Sequence, residues 1–425
     1  MEKFSNGCKA PRIKHLHHAT WKSALVTTVT SYTEARSRAL IGGGYDGVVR
    51  VVAGSFYGTG VLLYNGQAVL TAAHLFASES TATSVVFETN YGTQTISSKK
   101  VLINPEYNSK SSTNDLALVW LSGAAPISAE RYELYRSEDE INQTFTMVGY
   151  GRPGSGNTGN LSSPPNPPLR LQAKNQFDTD ISSLLPFFSS TPAWASISNK
   201  QLVADFDNGA TANDALGLLA RKTGLGLGSE EGLIAPGDSG GPAFIGNKVA
   251  GIASYTADLE STVYHPDIDK ISNSSFGEVG VWERVSAYQQ WIDQNLRAQA
   301  TNAPKTLAAV QKTVVEGNTG TTFAYFWIQL NGPSLNDHAV LSVDYKTRDG
   351  TAKAGQDYIA VQGRLNLYST EDHAVVAVEI LGDYTPEPSE TFELEISNPL
   401  GAAFQNGQVV LTAIRTILND DGIFG

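Results

Sequence analysis

Gly237-Asp238-Ser239-Gly240-Gly241-Pro242 sets one hydroxyl among three glycines. Glycine lets a backbone turn tightly and approach a reacting group closely, so such a turn can hold Ser239 Oγ beside inward-pointing amides. Alone, the hexapeptide is a turn with an exposed serine. It holds a nucleophile only if a base and an orienting carboxylate stand elsewhere in the chain. Two segments meet that demand, Thr71-Ala72-Ala73-His74 and Asn114-Asp115-Leu116-Ala117-Leu118-Val119. Acyl transfer near neutral pH needs a nucleophile, a base to take its proton, a carboxylate to fix that base in one tautomer, and donors for the oxyanion. Ser239, His74 and Asp115 are candidates for the first three.

Outward from these motifs the chain alternates. Residues 48–52 and 60–63 read as strands, and Tyr64-Asn65-Gly66-Gln67 supplies the Asn-Gly pair that favours a two-residue hairpin turn. Residues 68–71 form the next strand and run directly into Ala72-Ala73-His74. Further strands are expected at 84–88, 93–97, 116–121, 145–150, 248–255 and 278–282. Short strands with turn signals every ten residues or so predict an all-β barrel or sandwich. Val285, Tyr288, Trp291, Ile292 and Leu296 recur at helical spacing, so one amphipathic helix closes this part. Residues 151–168, crowded with Gly, Pro, Asn and Ser, read as a surface loop, and patterning stays weak to about residue 232. Within that stretch Asp205-Phe206-Asp207-Asn208-Gly209 lacks the spacing of a calcium loop and reads as a turn.

A chain of 425 residues exceeds one ordinary core, and 40 glycines suit a turn-rich β protein. The net charge of -12 is uneven, since residues 301–425 carry 15 Asp/Glu against 7 Lys/Arg. No basic stripe exists, which argues against a nucleic-acid partner; clustered carboxylates point to a solvated face or a hard cation. The single cysteine, Cys8, excludes an intrachain disulfide. No apolar run reaches the about 18 residues of a membrane-spanning helix. Residues 1–39 read as a leader or propeptide in which Lys22 and several threonines interrupt the apolar stretch of 19–29. His15, His17 and His18 read as polar leader residues rather than ligands. The leader ends in Ala35-Arg36-Ser37-Arg38-Ala39, a first domain is expected over 40–297, and 298–305 form a linker. Residues 306–421 restart as an all-β module with strands near 308–315, 322–330, 340–345, 364–367, 375–381, 391–396 and 408–417. Seven strands in little more than 100 residues fit an immunoglobulin-like sandwich.

His74, Asp115 and Ser239 in that order, Gly58-Thr59-Gly60-Val61-Leu62 before the histidine and Ser254-Tyr255-Thr256 after the serine make residues 40–296 resemble the chymotrypsin-like (trypsin-family) serine proteases. Residues 153–231 align poorly. The resemblance implies a double β-barrel and a serine endopeptidase working through an acyl-enzyme on protein or peptide substrates, with no cofactor for catalysis. It implies that Ser239 attacks, His74 acts as base and then acid, Asp115 orients His74, and the N–H groups of Gly237 and Ser239 form the oxyanion hole. It pairs Asp238 with a newly freed amino terminus at Leu40, or at Ile41, although Arg38 stands one place too early for the usual activation cut. Otherwise Asp238 is a polar turn residue. Substrate contacts are implied at Leu233, Ser254, Tyr255, Thr256 and Gly280. Leu233 stands where trypsin-like members place an Asp, and an apolar base cannot pair with a buried Lys or Arg. With Gly280 leaving one wall open and Thr256 narrowing the slot, cleavage after medium apolar residues is expected. Leu75 stands where a cysteine commonly follows the catalytic His, so packing alone must hold the fold. A secreted, extracellular or periplasmic location is expected of such an enzyme.

Val314-Val315-Glu316-Gly317-Asn318, Val343-Asp344-Tyr345, Asp349-Gly350-Thr351-Ala352, Asp357-Tyr358, Gly382-Asp383, Glu387, Glu390 and Asn419-Asp420-Asp421 make residues 306–421 resemble the Calx-beta domain. The resemblance implies calcium held by Glu316, Asp357, Asp383, Glu387, Glu390, Asp420 and Asp421, and a calcium-dependent surface or protein contact through this module. Gly382 replaces an acidic residue of the strongest binders, and solvated turns without calcium are the alternative. Two other functions stay open. One is a catalytically silent, protease-like binding or adhesion protein. The other is an esterase using the same triad, although Gly-Asp-Ser-Gly-Gly is not a nucleophile elbow between strand and helix.

Overall fold

The computed structural model describes residues 13–15, 28–163, 165–188, 198–222, 224–330, 340–369 and 371–422. Cys8, His17, His18 and most of the expected leader lie outside them. The chain divides into two compact units, residues 1–63 with 68–289, and residues 64–67 with 290–425.

In the first unit, six strands close a barrel: Val48–Ala53, Phe56–Leu62, Ala68–Thr71, Thr83–Thr89, Gly92–Ile103 and Ala117–Leu121. Their β-branched and aromatic residues alternate inward, and Val49, Val51, Val69, Val85, Phe87 and Val119 are fully buried. Gly60 must be small, because a Cβ there would lie 2.5 Å from Val69 Cγ1 and 2.8 Å from Val51 Cγ2. The expected two-residue hairpin turn is longer. The Leu63 N–H donates to the Ala68 carbonyl, and Asn65 Oδ1 captures the Gln67 N–H, so four residues make the connection.

The second half of this unit is a seven-stranded sheet in the order Leu171–Gln176, Thr144–Gly149, Pro242–Ile245, Lys248–Asp258, Glu278–Arg284, Gln201–Asp205, Thr179–Asp180. Phe145 stacks on Phe177 at 4.0 Å between ring centroids, and Trp282 meets Phe145 edge-on at 5.0 Å. The closed barrel and this open sheet fit the chymotrypsin-like arrangement, with helix Val285–Ala298 following as the helical spacing predicts.

The expected boundary at residues 39 and 40 falls inside the folded unit. Strand Thr28–Val29 runs parallel to Gly154–Ser155 and antiparallel to Gly232–Leu233, and Val29 joins the core that holds Leu233 and Phe276. Arg170 then fastens residues 39–48. It is 2% exposed, forms an ion pair with buried Asp46, and donates to the carbonyls of Ala39, Leu40, Val48 and Glu88. Arg170→Leu should cost about 3–5 kcal/mol, because it strands a buried carboxylate. Urea unfolding would read this, and adding Asp46→Leu should recover part of the loss. A single variant as stable as the parent would show that the pair contributes nothing.

The second unit contains the expected seven-stranded sandwich. One sheet orders Thr313–Val315, Val410–Leu418, Glu390–Leu400, Leu341–Asp349 and Gln362–Leu367; the other pairs Thr321–Gln329 with His373–Leu381. Between them Tyr358 stacks on Phe392 at 4.6 Å, and Phe326 meets Phe392 edge-on at 5.7 Å. The first strand is shorter than expected, beginning at Thr313 after a single turn at Leu307–Ala309.

Candidate active site

Strand Ala68–Thr71 delivers the single turn Ala73–Leu75, where His74 Nδ1 lies 2.7 Å from Asp115 Oδ2. Asp115, wholly buried just before strand Ala117–Leu121, also accepts the His74 backbone N–H on Oδ1 at 2.8 Å. Its Oδ2 accepts Ser254 Oγ–H at 2.6 Å. A carboxylate held this way keeps the imidazole proton on Nδ1 and the lone pair on Nε2.

The Ser239 turn abuts the same strands. Gly237 has φ +105° and Gly240 φ +82°, and a Cβ on Gly240 would lie 2.0 Å from Thr71 Oγ1 and 2.3 Å from the Thr59 carbonyl. No side chain fits there. Thr59, quoted in the sequence only as part of the strand before the histidine, ties the parts together: its N–H donates to the Ser239 carbonyl at 2.8 Å and its Oγ1 to the Gly237 carbonyl at 2.7 Å. Thr71 Oγ1 in turn donates to the Thr59 carbonyl at 2.6 Å. Among the described residues the N–H groups of Gly237 and Ser239 donate to no backbone acceptor.

Of the expected substrate contacts, Leu233 is fully buried, and Thr256 pairs with Gly280 across two strands. The wall expected to be open at Gly280 is filled. A Cβ there would lie 2.6 Å from Trp282 Cη2 and 3.0 Å from Leu233 Cδ1, because Trp282, two residues on, shares its face. Ser254 bonds Asp115, and the Tyr255 ring turns into the core with Val279 and Val281.

Asp238 and Leu40 are not brought together. Asp238 is 3% exposed, its two oxygens accepting the N–H groups of Gly151 and Ala235 at 3.2 Å each, while Leu40 is 64% exposed. In the intact chain Leu40 carries no free amine, and backbone amides occupy Asp238 instead.

In the second unit, Asp357, Glu387 and Glu390 each place a carboxylate oxygen within 4.8 Å of the others. Burial raises the Glu316 carboxyl to about 7, and the charges of Asp383, Glu387, Asp357 and Asp421 add to that. Asp420 Oδ1 accepts the Gly317 N–H at 2.9 Å, and Asp421 Oδ2 is buried without a hydrogen-bond partner among the described residues. A set of mutually repelling carboxylates with an orphaned buried oxygen fits a hard cation. Gly382 is forced, since a Cβ would lie 2.4 Å from the Gly317 carbonyl.

The trypsin family model matches residues 42–170, and the Calx-beta domain model matches residues 302–421. The chain carries a trypsin-family domain followed by a Calx-beta domain. Among curated proteins it is similar to adhesion G-protein coupled receptor V1 of Danio rerio, 32% identical over 82 residues, which are 19% of this chain and 1% of the receptor. It is also similar to the sodium/calcium exchanger Calx of Drosophila melanogaster, 34% identical over 85 residues, 20% of this chain and 9% of the exchanger. The chain thus spans a small fraction of these relatives' length. A solved structure of neuropsin, a serine protease expressed in the limbic system of mouse brain, is 19% identical with a TM-score of 0.44, covering 61% of this chain and 98% of its own. A trypsin-family domain supports a serine protease. Ser239 lies beyond the residues matched by the trypsin family model.

Within the trypsin-family domain a second buried carboxyl stands behind Asp115. Glu283 accepts Tyr288 Oη–H at 2.6 Å and Gln201 Nε2–H at 2.7 Å, and also the Asp115 backbone N–H. Burial, with Asp115 nearby, pushes its carboxyl up to about 8 from 4.5. The unfolded chain releases this proton near 4.5 and the folded chain keeps it to about 8, so this group's contribution to stability falls as pH rises through that window. Glu283→Gln should flatten the dependence of Tm on pH between 5 and 8 (roughly the span between the two values). An unchanged slope would mean that Glu283 does not titrate there.

Proposed function

We propose that the chain is a serine endopeptidase acting through Ser239, His74 and Asp115. The observation that carries this reading is the buried Asp115 carboxylate, which holds His74 Nδ1 at 2.7 Å, while a glycine-shaped turn holds Ser239, only 5% exposed rather than standing open as its motif suggests, beside two amides that donate to no backbone acceptor among the described residues. Ser239 Oγ attacks the scissile carbonyl as His74 Nε2 takes its proton, and the N–H groups of Gly237 and Ser239 receive the oxyanion. His74 then protonates the leaving amine, and water hydrolyses the acyl-enzyme by the same route in reverse. The resemblance puts Leu233 at the base of the primary pocket, where its apolar side chain, packed with Trp282 and Val29, offers a Lys or Arg no counter-charge. Peptide bonds after small to medium apolar residues are the substrates, not those after Lys or Arg. Cleavage after Ala39 would free Leu40 for Asp238, exchanging two neutral donors for an ammonium.

A fluorophosphonate tests the reading directly. Mass spectrometry should find the adduct on the peptide carrying Ser239 in folded protein and not in heat-denatured protein. A folded, processed chain that never reacts would leave a silent binding protein.

The Calx-beta residues Glu316, Asp357, Asp383, Glu387, Glu390, Asp420 and Asp421 would hold calcium, which relieves their mutual repulsion and so favours the folded module. Chelator should lower the melting temperature of the module, and a variant with Asp357→Asn, Glu387→Gln and Glu390→Gln should lose that response. Equal melting with and without chelator would remove calcium from the account.

A further inference from the structure

Residues 205–209 read as a turn in the sequence, but the fold returns Asp214 to the same place. Strand Gln201–Asp205 ends, Asp207 follows, and Asp214 caps helix Ala215–Ala220. Asp205, Asp207 and Asp214 are 5%, 2% and 7% exposed, and each offers a carboxylate oxygen within 4.8 Å of the other two. We propose that these three carboxylates form a calcium-type cation site inside the trypsin-family domain, separate from the Calx-beta cluster.

Three observations support it. Oxygens around calcium at about 2.4 Å span at most about 4.8 Å across the ion, so the observed spacing suits one shared cation. Among the described residues Asp207 Oδ1 is buried and has no hydrogen-bond partner, although a buried carboxylate oxygen left unpaired is costly. Finally, among the described residues no Lys, Arg or His forms an ion pair with Asp205, Asp207 or Asp214, nor with Asp178 and Glu231, which flank them. Asp178 Oδ2 accepts the Asp205 N–H at 3.3 Å, and Glu231 Oε1 accepts the Asp207 N–H at 2.8 Å. Among the described residues, five carboxyl groups thus share one region with no ion-pairing Lys, Arg or His.

Asp205 Oδ2 and Asp214 Oδ1 already accept the N–H groups of Leu216 and Gly217, so water would complete a shell of six to eight oxygens. The ion would act on the pocket through Glu231. This residue bonds Asp207, its carbonyl accepts the Thr30 N–H, and it lies two residues before Leu233. A cation here pins the segment that carries the pocket floor.

The test uses the full chain stripped of metal, with Asp357→Asn, Glu387→Gln and Glu390→Gln removing the Calx-beta cluster. Titration calorimetry with calcium chloride should show one remaining site per chain, and calcium should raise the melting temperature of the first unit. Adding Asp207→Asn, which is isosteric and breaks no hydrogen bond of Oδ1, should weaken that binding by at least about tenfold, the loss seen even for outer-shell changes at metal sites. Absence of calcium binding in the parent with the Calx-beta cluster removed would overturn the site and leave the calcium reading of the module intact. Unchanged affinity in Asp207→Asn would overturn it too. The melting shift in the parent stands as evidence even if Asp207→Asn fails to fold.

Discussion

Ser239→Ala should lower kcat on a peptide substrate by a factor on the order of 10^6 and leave KM nearly unchanged. The hydroxyl is the only group removed. The turn is held by its backbone, since the Ser239 carbonyl accepts the Thr59 N–H at 2.8 Å and the Gly240 N–H donates to the Ala253 carbonyl at 2.8 Å. Alanine at position 239 meets the same backbone, so the melting temperature should not move. What remains is the pair of amide donors, which alone are worth roughly 10^3–10^4 over water in such sites. Active-site titration separates the two contributions: the acyl-enzyme burst should vanish while slow turnover stays above background. A variant that keeps its burst would assign the nucleophile to another residue.

The strands of the closed barrel and of the Calx-beta sandwich were legible from short β-branched and aromatic runs bounded by turn residues, although Ala68–Thr71 and Ala117–Leu121 are buried along their whole length rather than on alternate positions. The proposed site was legible where its local turn requires glycine, as at Gly237 and Gly240, both at positive φ. What the sequence hid was settled between distant segments. Strand Leu171–Gln176 breaks the apolar pattern with Asn175, which is buried only because its Nδ2 reaches the carbonyls of Asp205 and Gly232 at 2.8 and 2.9 Å. Gln201 likewise opens strand Gln201–Asp205 with a buried amide satisfied by Ser112 and Glu283, each at 2.7 Å. A side chain whose partner lies tens of residues away reads as a loop residue. The same reason hid the filled wall at Gly280, and strand Thr28–Val29 is too short for its pattern to register. Asp207 looked like a turn because Asp214 and Glu231 approach it only in the folded chain.

Asp115→Asn should reduce kcat by about 10^4-fold while the protein stays folded. Asp115 Oδ2 faces both His74 Nδ1 and Ser254 Oγ, and Oδ1 faces the His74 backbone N–H. An asparagine must turn its NH2 toward one of these sides. Turned toward the backbone, it sets donor against donor and leaves a buried N–H unsatisfied. Turned toward the ring, it donates to Nδ1, so the imidazole carries its proton on Nε2 and cannot accept one from Ser239. The second arrangement breaks fewer hydrogen bonds, and it disables the base without moving it. Loss of rate should therefore be largest near neutral pH and partly recover in alkali, where Ser239 loses its proton to hydroxide instead. A pH profile of kcat/KM distinguishes this from a folding defect, which would lower rate at every pH alike. If the loss is under tenfold (against the about 10^4 expected), Asp115 does not set the tautomer of His74. The buried bond between them would then be only a structural contact.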